Sequence, residues 1–158
     1  MDINIKIVNS YKGNLPNRLE KNTQKIIKCV PDKYLRGINS IILVNQIVYK
    51  NGKSVGGIYI PPTKNEPAHI KIAIDVIYKG VPKFVFYLPF IKKFLLAGVL
   101  FHEIGHHNQL SNANLKKKDW EKHAEKFANK MLKKVFWPWL VLFIPFNYLN
   151  KFFKPSKH

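Results

Sequence analysis

The sequence predicts an α+β fold in one domain, on three observations. The first half holds short runs of β-branched residues, some in strict alternation with polar ones. From about Leu88 the apolar spacing becomes helical and stays so. The 158 residues suffice for one core, and no repeat or low-complexity linker divides them.

"INIKIV" (3–8) alternates and reads as a strand. Residues 15–30 read as an amphipathic helix, with Asn14 as cap, Pro16 in the first turn, and Leu15, Leu19, Ile26, Ile27 and Val30 on one face. "INSIILVNQIVY" (38–49) is a β-branched strand followed by an Asn-Gly turn signal. "GIYI" is a short strand stopped by Pro61 and Pro62, which suits a sheet edge. "AHIKIAIDVIY" (68–78) reads as a further strand. Residues 88–110 can form one helix, apolar nearly all round and therefore central. After a break at "SNANLKKK", residues 119–135 form a second helix, on which Trp120, Ala124, Phe127, Ala128, Met131, Leu132 and Val135 keep helical spacing.

Charge is the unusual part of the composition. Lys plus Arg number 27 against 9 Asp plus Glu, a net +18, and only Arg18 and Arg36 are arginines. Such an excess attracts polyanions: nucleic acid, anionic lipid or an acidic protein. The shortage of arginine argues against base reading, which favours the guanidinium fork. Cys29 stands alone, which excludes a disulfide framework and a cysteine zinc site and fits a reducing compartment. The N-terminus shows no signal-peptide hydrophobic region, so the expected location is cytoplasmic.

The chemistry concentrates in "VLFHEIGHH" (99–107). On a helix, His102 and His106 lie one turn apart on the same face and can hold one zinc ion. Glu103, one position round, is close enough to take a proton from water on that metal without being a ligand. A catalytic zinc needs a third protein ligand and one open position. The following helix offers Glu121 and Glu125, again one turn apart; three of the five glutamates lie within residues 103–125.

"HEIGH" followed by "EKHAEKFA" resembles the zincin metallopeptidases with a glutamate third ligand, the gluzincins. The layout is similar to minimal gluzincins, to ImmA/IrrE-like peptidases and to the core of the prenyl-protein and heat-shock membrane protease family. The likeness covers residues 38–132 in layout, and only 99–107 and 120–128 are specific in sequence. It implies a zincin-like fold, a small mixed sheet packed on the active-site helix and the glutamate helix. It implies one zinc per chain on His102, His106 and Glu121, with Glu103 as general base in the hydrolysis of a peptide or protein substrate. Glu125 stands at the family's Asp or Asn position, which orients a histidine ligand, and is one methylene longer. A competing assignment makes Glu125 the ligand and Glu121 a surface residue. Zincins also use a His, Tyr or Arg donor for the oxyanion; the candidates are Tyr59, His69, His107 and His123. Substrate usually pairs with an edge strand, for which 56–60 is the candidate. SprT-like zincins, which act on DNA-bound proteins, use a histidine third ligand, so association with nucleic acid ranks below association with lipid.

The predicted division is 1–134 for the peptidase domain and 135–158 for an apolar, basic tail. "VFWPWLVLFIPF" (135–146) carries no charge and lies between Lys134 and Lys151. It is shorter than the roughly 20 residues a spanning helix needs. Its tryptophans and flanking lysines suit attachment at an anionic membrane surface, peripheral at the inner face; packing on its own domain is the competing reading. The alternative to the enzyme is a catalytically inactive basic protein that binds membrane or nucleic acid on a zincin scaffold.

Overall fold

Alternate β-branched residues bury one face of a sheet, and the sheet needs a helix to cover that face. This is how the chain is built in a computed structural model that describes residues 5–13, 18–49, 51–79, 81–82, 88–110 and 117–143. Among them the elements are β1 (Lys6–Asn9), α1 (Leu19–Ile27), a 3-10 turn (Asp32–Tyr34), β2 (Ile38–Val44), β3 (Gly57–Ile60), β4 (Ala68–Ala73), α2 (Ile74–Tyr78), α3 (Pro89–Leu110) and α4 (Lys117–Phe143). The strands form one mixed sheet in the order β1-β2-β4-β3. β1, β2 and β4 run parallel, and β3 is antiparallel to β4. A small mixed sheet with helices is compatible with the α+β class that the patterning predicts, and β3 lies at the edge, where the following prolines put it.

Register decides which side chains meet the helices. Ile41 pairs with Ile70 and Leu43 with Ile72, and all four are fully buried. Each contributes about 1.5–3 kcal/mol from burial alone. Tyr59 is opposite Ile70 and Gly57 opposite Ile72, so both belong to this covered face. The covering element is α3, whose Leu96, Ala97, Leu100, Phe101 and Ile104 are buried. Its all-round apolarity has a simple cause: α3 touches the sheet and α1 as well as α4.

α3 and α4 run antiparallel: Gly98 lies beside Leu132, Gly105 beside Ala124, and Gln109 beside Trp120. At Gly105 the approach is closest. A Cβ there would stand 2.7 Å from the Ala124 Cα and 3.0 Å from its carbonyl oxygen, both backbone atoms.

Four elements differ from the sequence expectation. α1 begins at Leu19, with no side-chain cap bond from Arg18; Asn14, Leu15 and Pro16 lie outside the described residues. β2 ends at Val44 because Asn45 turns the chain: its Oδ1 accepts from Lys12 N–H (3.0 Å) and its Nδ2 donates to Asp75 Oδ2 (3.0 Å). The Asn-Gly signal is fulfilled beyond it, with Gly52 at φ 77° and a bridge between Val48 and Ser54. The run 68–78 is a strand only to Ala73; α2 starts at Ile74, where Asp75 N–H also donates to Asn45 O. Finally, α4 continues past residue 135 to Phe143 with Pro138 inside it. Phe136 is buried in the main core, beside Phe94, while Trp137 is exposed. The first part of the presumed tail is thus the last turns of α4, and 144–158 lie outside the described residues.

Gly105→Ala should destabilise the protein by about 1–3 kcal/mol in urea unfolding, since overpacking against backbone outweighs the ~1 kcal/mol gained in helix propensity. A variant as stable as the parent would show that the two helices can part at no cost.

Candidate metal centre

Helical periodicity puts His102 and His106 on one face of α3, and the Gly105–Ala124 crossing brings α4 within reach of that face. The two Nε2 atoms lie 3.1 Å apart, with the rings at 87° and their centroids 4.7 Å apart. From the first turns of α4, Glu121 places Oε2 3.3 Å from His102 Nε2 and Oε1 3.5 Å from His106 Nε2. One ligand atom from each of the three residues falls within 4.8 Å of the others. Glu121 keeps 77% of its side chain exposed. An ion pair so exposed adds little to stability, so the fold has no structural need for this convergence. Among the described residues, these two imidazoles and one carboxylate form a group that could hold a metal ion.

His106 titrates below the ordinary imidazole range. Burial is the main cause and His102 the next, with Glu121 and the Gln109 side chain opposing. The shift favours the neutral ring, the form that binds metal.

Glu103 occupies a different environment. It is 6% exposed, and burial pushes its carboxyl up to about 7. The Tyr59 N–H opposes this by donating to the carboxylate, and Glu121 adds to it by like charge. β3 can come this close only because residue 57 is glycine: a Cβ there would meet Val99 Cγ1 at 2.6 Å and Glu103 Oε1 at 2.9 Å. A cleft of about 940 Å³ lies over the cluster, lined by His102, Glu103, His106, Glu121, Tyr59 and Trp120 among others.

The other predicted residues separate by geometry. Glu125, half-buried one turn beyond Glu121, makes no hydrogen bond or ion pair to either histidine among the described contacts. It is Glu121, not Glu125, that reaches the pair. His69 sits on the sheet face opposite Ile70, turned away from α3, with Nδ1 3.3 Å from Pro67 O. His123 is exposed on α4 and does not line the cleft. His107 is one position round α3 from His106, and its Nε2 donates to Arg36 O (2.8 Å). In the neutral ring Nδ1 is then an acceptor, and the Tyr59 hydroxyl donates to it (3.0 Å). Of the four oxyanion candidates only Tyr59 lines the cleft, and its proton is engaged by His107.

Gln109 was not singled out from the sequence. It is 6% exposed, and its Nε2 donates to Trp120 O (2.8 Å), joining α3 to the turn that carries Glu121. The available signal is its spacing, three residues after His106 on the same helical face.

A carboxyl raised by burial favours the folded state when protonated. That contribution is complete below its ordinary 4.5 and is lost as pH rises through about 7. Metal-free Glu103→Gln should therefore be more stable than the metal-free parent by about 2–3 kcal/mol near pH 8, with the difference closing below pH 5. Urea unfolding in chelator across that range checks it, and a constant difference would show that Glu103 titrates normally.

Compared with protein-family models, with curated proteins and with solved structures, the chain matches none, so the reading of this centre rests on its own residues.

Proposed function

We propose that the protein is a zinc-dependent metallopeptidase of gluzincin type on a zincin-like fold. The observation that supports this best is the convergence of His102, His106 and Glu121, with the buried carboxyl of Glu103 beside the cluster and outside it. His102, His106 and Glu121 would hold the ion, and three protein ligands leave one position open. When bound, zinc supplies a Lewis acid that makes water more acidic and polarises a carbonyl.

The remaining work falls to the chain. Glu103 has the proton affinity of a base that takes a proton near neutrality and returns it to a departing amine. The Tyr59 N–H orients that carboxylate, so the edge strand and the base are coupled. The outer edge of β3 offers backbone groups to an extended peptide laid along the cleft. Tyr59 and Val99 give the cleft apolar lining near the base.

A non-catalytic basic binding protein has no use for a carboxyl at 103 that is unfavourable to ionise where it stands, and this observation favours the enzyme. For the membrane-surface proposal, the described support is exposed Trp137 on the last turns of α4, close to exposed Lys134. No described helix is long and apolar enough to cross a membrane.

Elemental analysis should find one zinc per chain, lost in His102→Ala and Glu121→Ala. Glu103→Gln should keep the zinc and lose peptide cleavage by about 100-fold or more. Cleavage retained in Glu103→Gln would overturn the mechanism, and zinc retained in Glu121→Ala would overturn the ligand set. Trp137→Ala should reduce co-sedimentation with anionic liposomes; unchanged binding would remove the surface role.

A further inference from the structure

A histidine that ligates through Nε2 carries its proton on Nδ1, and that N–H needs an acceptor to fix the ring. His102 and His106 both turn Nε2 toward Glu121, so each Nδ1 points the other way. Gln109 lies three residues on along α3, and its side chain meets that of His106. The Gln109 amide is fixed in orientation: with Nε2 given to Trp120 O at 2.8 Å, Oε1 is the atom left over. That oxygen is buried without a full hydrogen bond, the only such side-chain atom among the described residues, although the Gln109 side chain already interacts with His106. A buried acceptor left unmade costs about 1–3 kcal/mol, so it calls for an explanation.

We propose that Gln109 is the positioning residue of the metal centre. Its Oε1 accepts the His106 Nδ1–H once a metal occupies His106 Nε2, while its Nε2 ties the same amide to the α4 turn that carries Glu121. The inference rests on the metal-centre reading above. In the metal-free cluster, 3.1 Å between the two Nε2 atoms requires one of them to carry the proton. A metal needs both Nε2 atoms free of protons, which fixes His106 as the Nδ1–H tautomer. Binding thus fixes on His106 Nδ1 the proton that Oε1 can accept. One amide then spans the histidine ligand on α3 and the backbone next to the glutamate ligand on α4, and it sets their separation. The role that the family resemblance implies for Glu125 passes to a residue on the histidine helix itself.

The test is zinc affinity, measured by chelator competition on the full chain, for the parent, Gln109→Leu and Gln109→Glu. Both variants lose the donor to Trp120 O, so both lose the tether between the helices. Only Glu keeps an acceptor for His106. Leu should weaken zinc by about 10–100-fold, and Glu should bind as tightly as the parent or tighter. Equal weakening in both would reduce Gln109 to a helix tether and overturn the proposal, as would no weakening in either. If the parent itself takes up no zinc, the metal-centre reading fails and this inference with it; if the parent binds and Leu binds equally, only this inference fails. Should the Leu variant not fold, nitrogen-15 NMR of histidine in the zinc-loaded parent decides. His106 should show an exchange-protected Nδ1–H, and a rapidly exchanging one would overturn the assignment.

Discussion

The close crossing of α3 and α4 is the constraint on which the rest depends. Glycine at 105 and alanine at 124 let the two backbones approach until a single Cβ would be too much. At a wider separation, Glu121 would stand away from the histidines and there would be two imidazoles on a helix edge. Packing and ligand geometry are therefore one problem here. The small residues that hold the helices together are interleaved with the polar ones that form the centre: Gly105 lies between His102 and His106, and Ala124 lies one turn after Glu121.

A second close approach sets the properties of the carboxyl. Gly57 lets the edge strand lie against Val99 and Glu103, and the strand's Tyr59 N–H meets the carboxylate. Burial raises the proton affinity of Glu103, while the exposed Glu121 remains available to bridge the histidines. Two glutamates of the same chemistry thus receive different environments, which in the proposed function would make one a proton carrier and the other a ligand. His107 and Tyr59 belong to neither task directly. Their hydrogen bonds join α3 to β3 and to the Arg36 carbonyl, and so hold the strand at the lip of the cleft.

Much of this was legible in the sequence. The alternation of Ile70, Ile72 and their neighbours marked the sheet, the apolar run before His102 marked the central helix, and the prolines after Ile60 marked the edge. Where the reading failed, a tertiary contact had overridden a local pattern. The alternation in 68–78 continues through Ile74 and Val76, but the Asn45–Asp75 hydrogen bond holds the start of a helix there instead. The four candidate donors looked alike as letters. Sheet register sends His69 to the far face, and a hydrogen bond to Arg36 O occupies His107.

What the sequence determined by itself is whatever depends on spacing along one element. The two histidines one turn apart, the glutamate beside them and the second glutamate pair follow from a 3.6-residue period. What only the tertiary structure decided depends on the distance between elements. The choice of Glu121 over Glu125, the depth at which Glu103 is buried and the unsatisfied Gln109 oxygen all arise where two backbones pass within a few ångströms. Periodicity fixes directions around one helix axis. It carries no information on how far away the next axis lies, and that distance is set by side-chain volumes from distant parts of the chain.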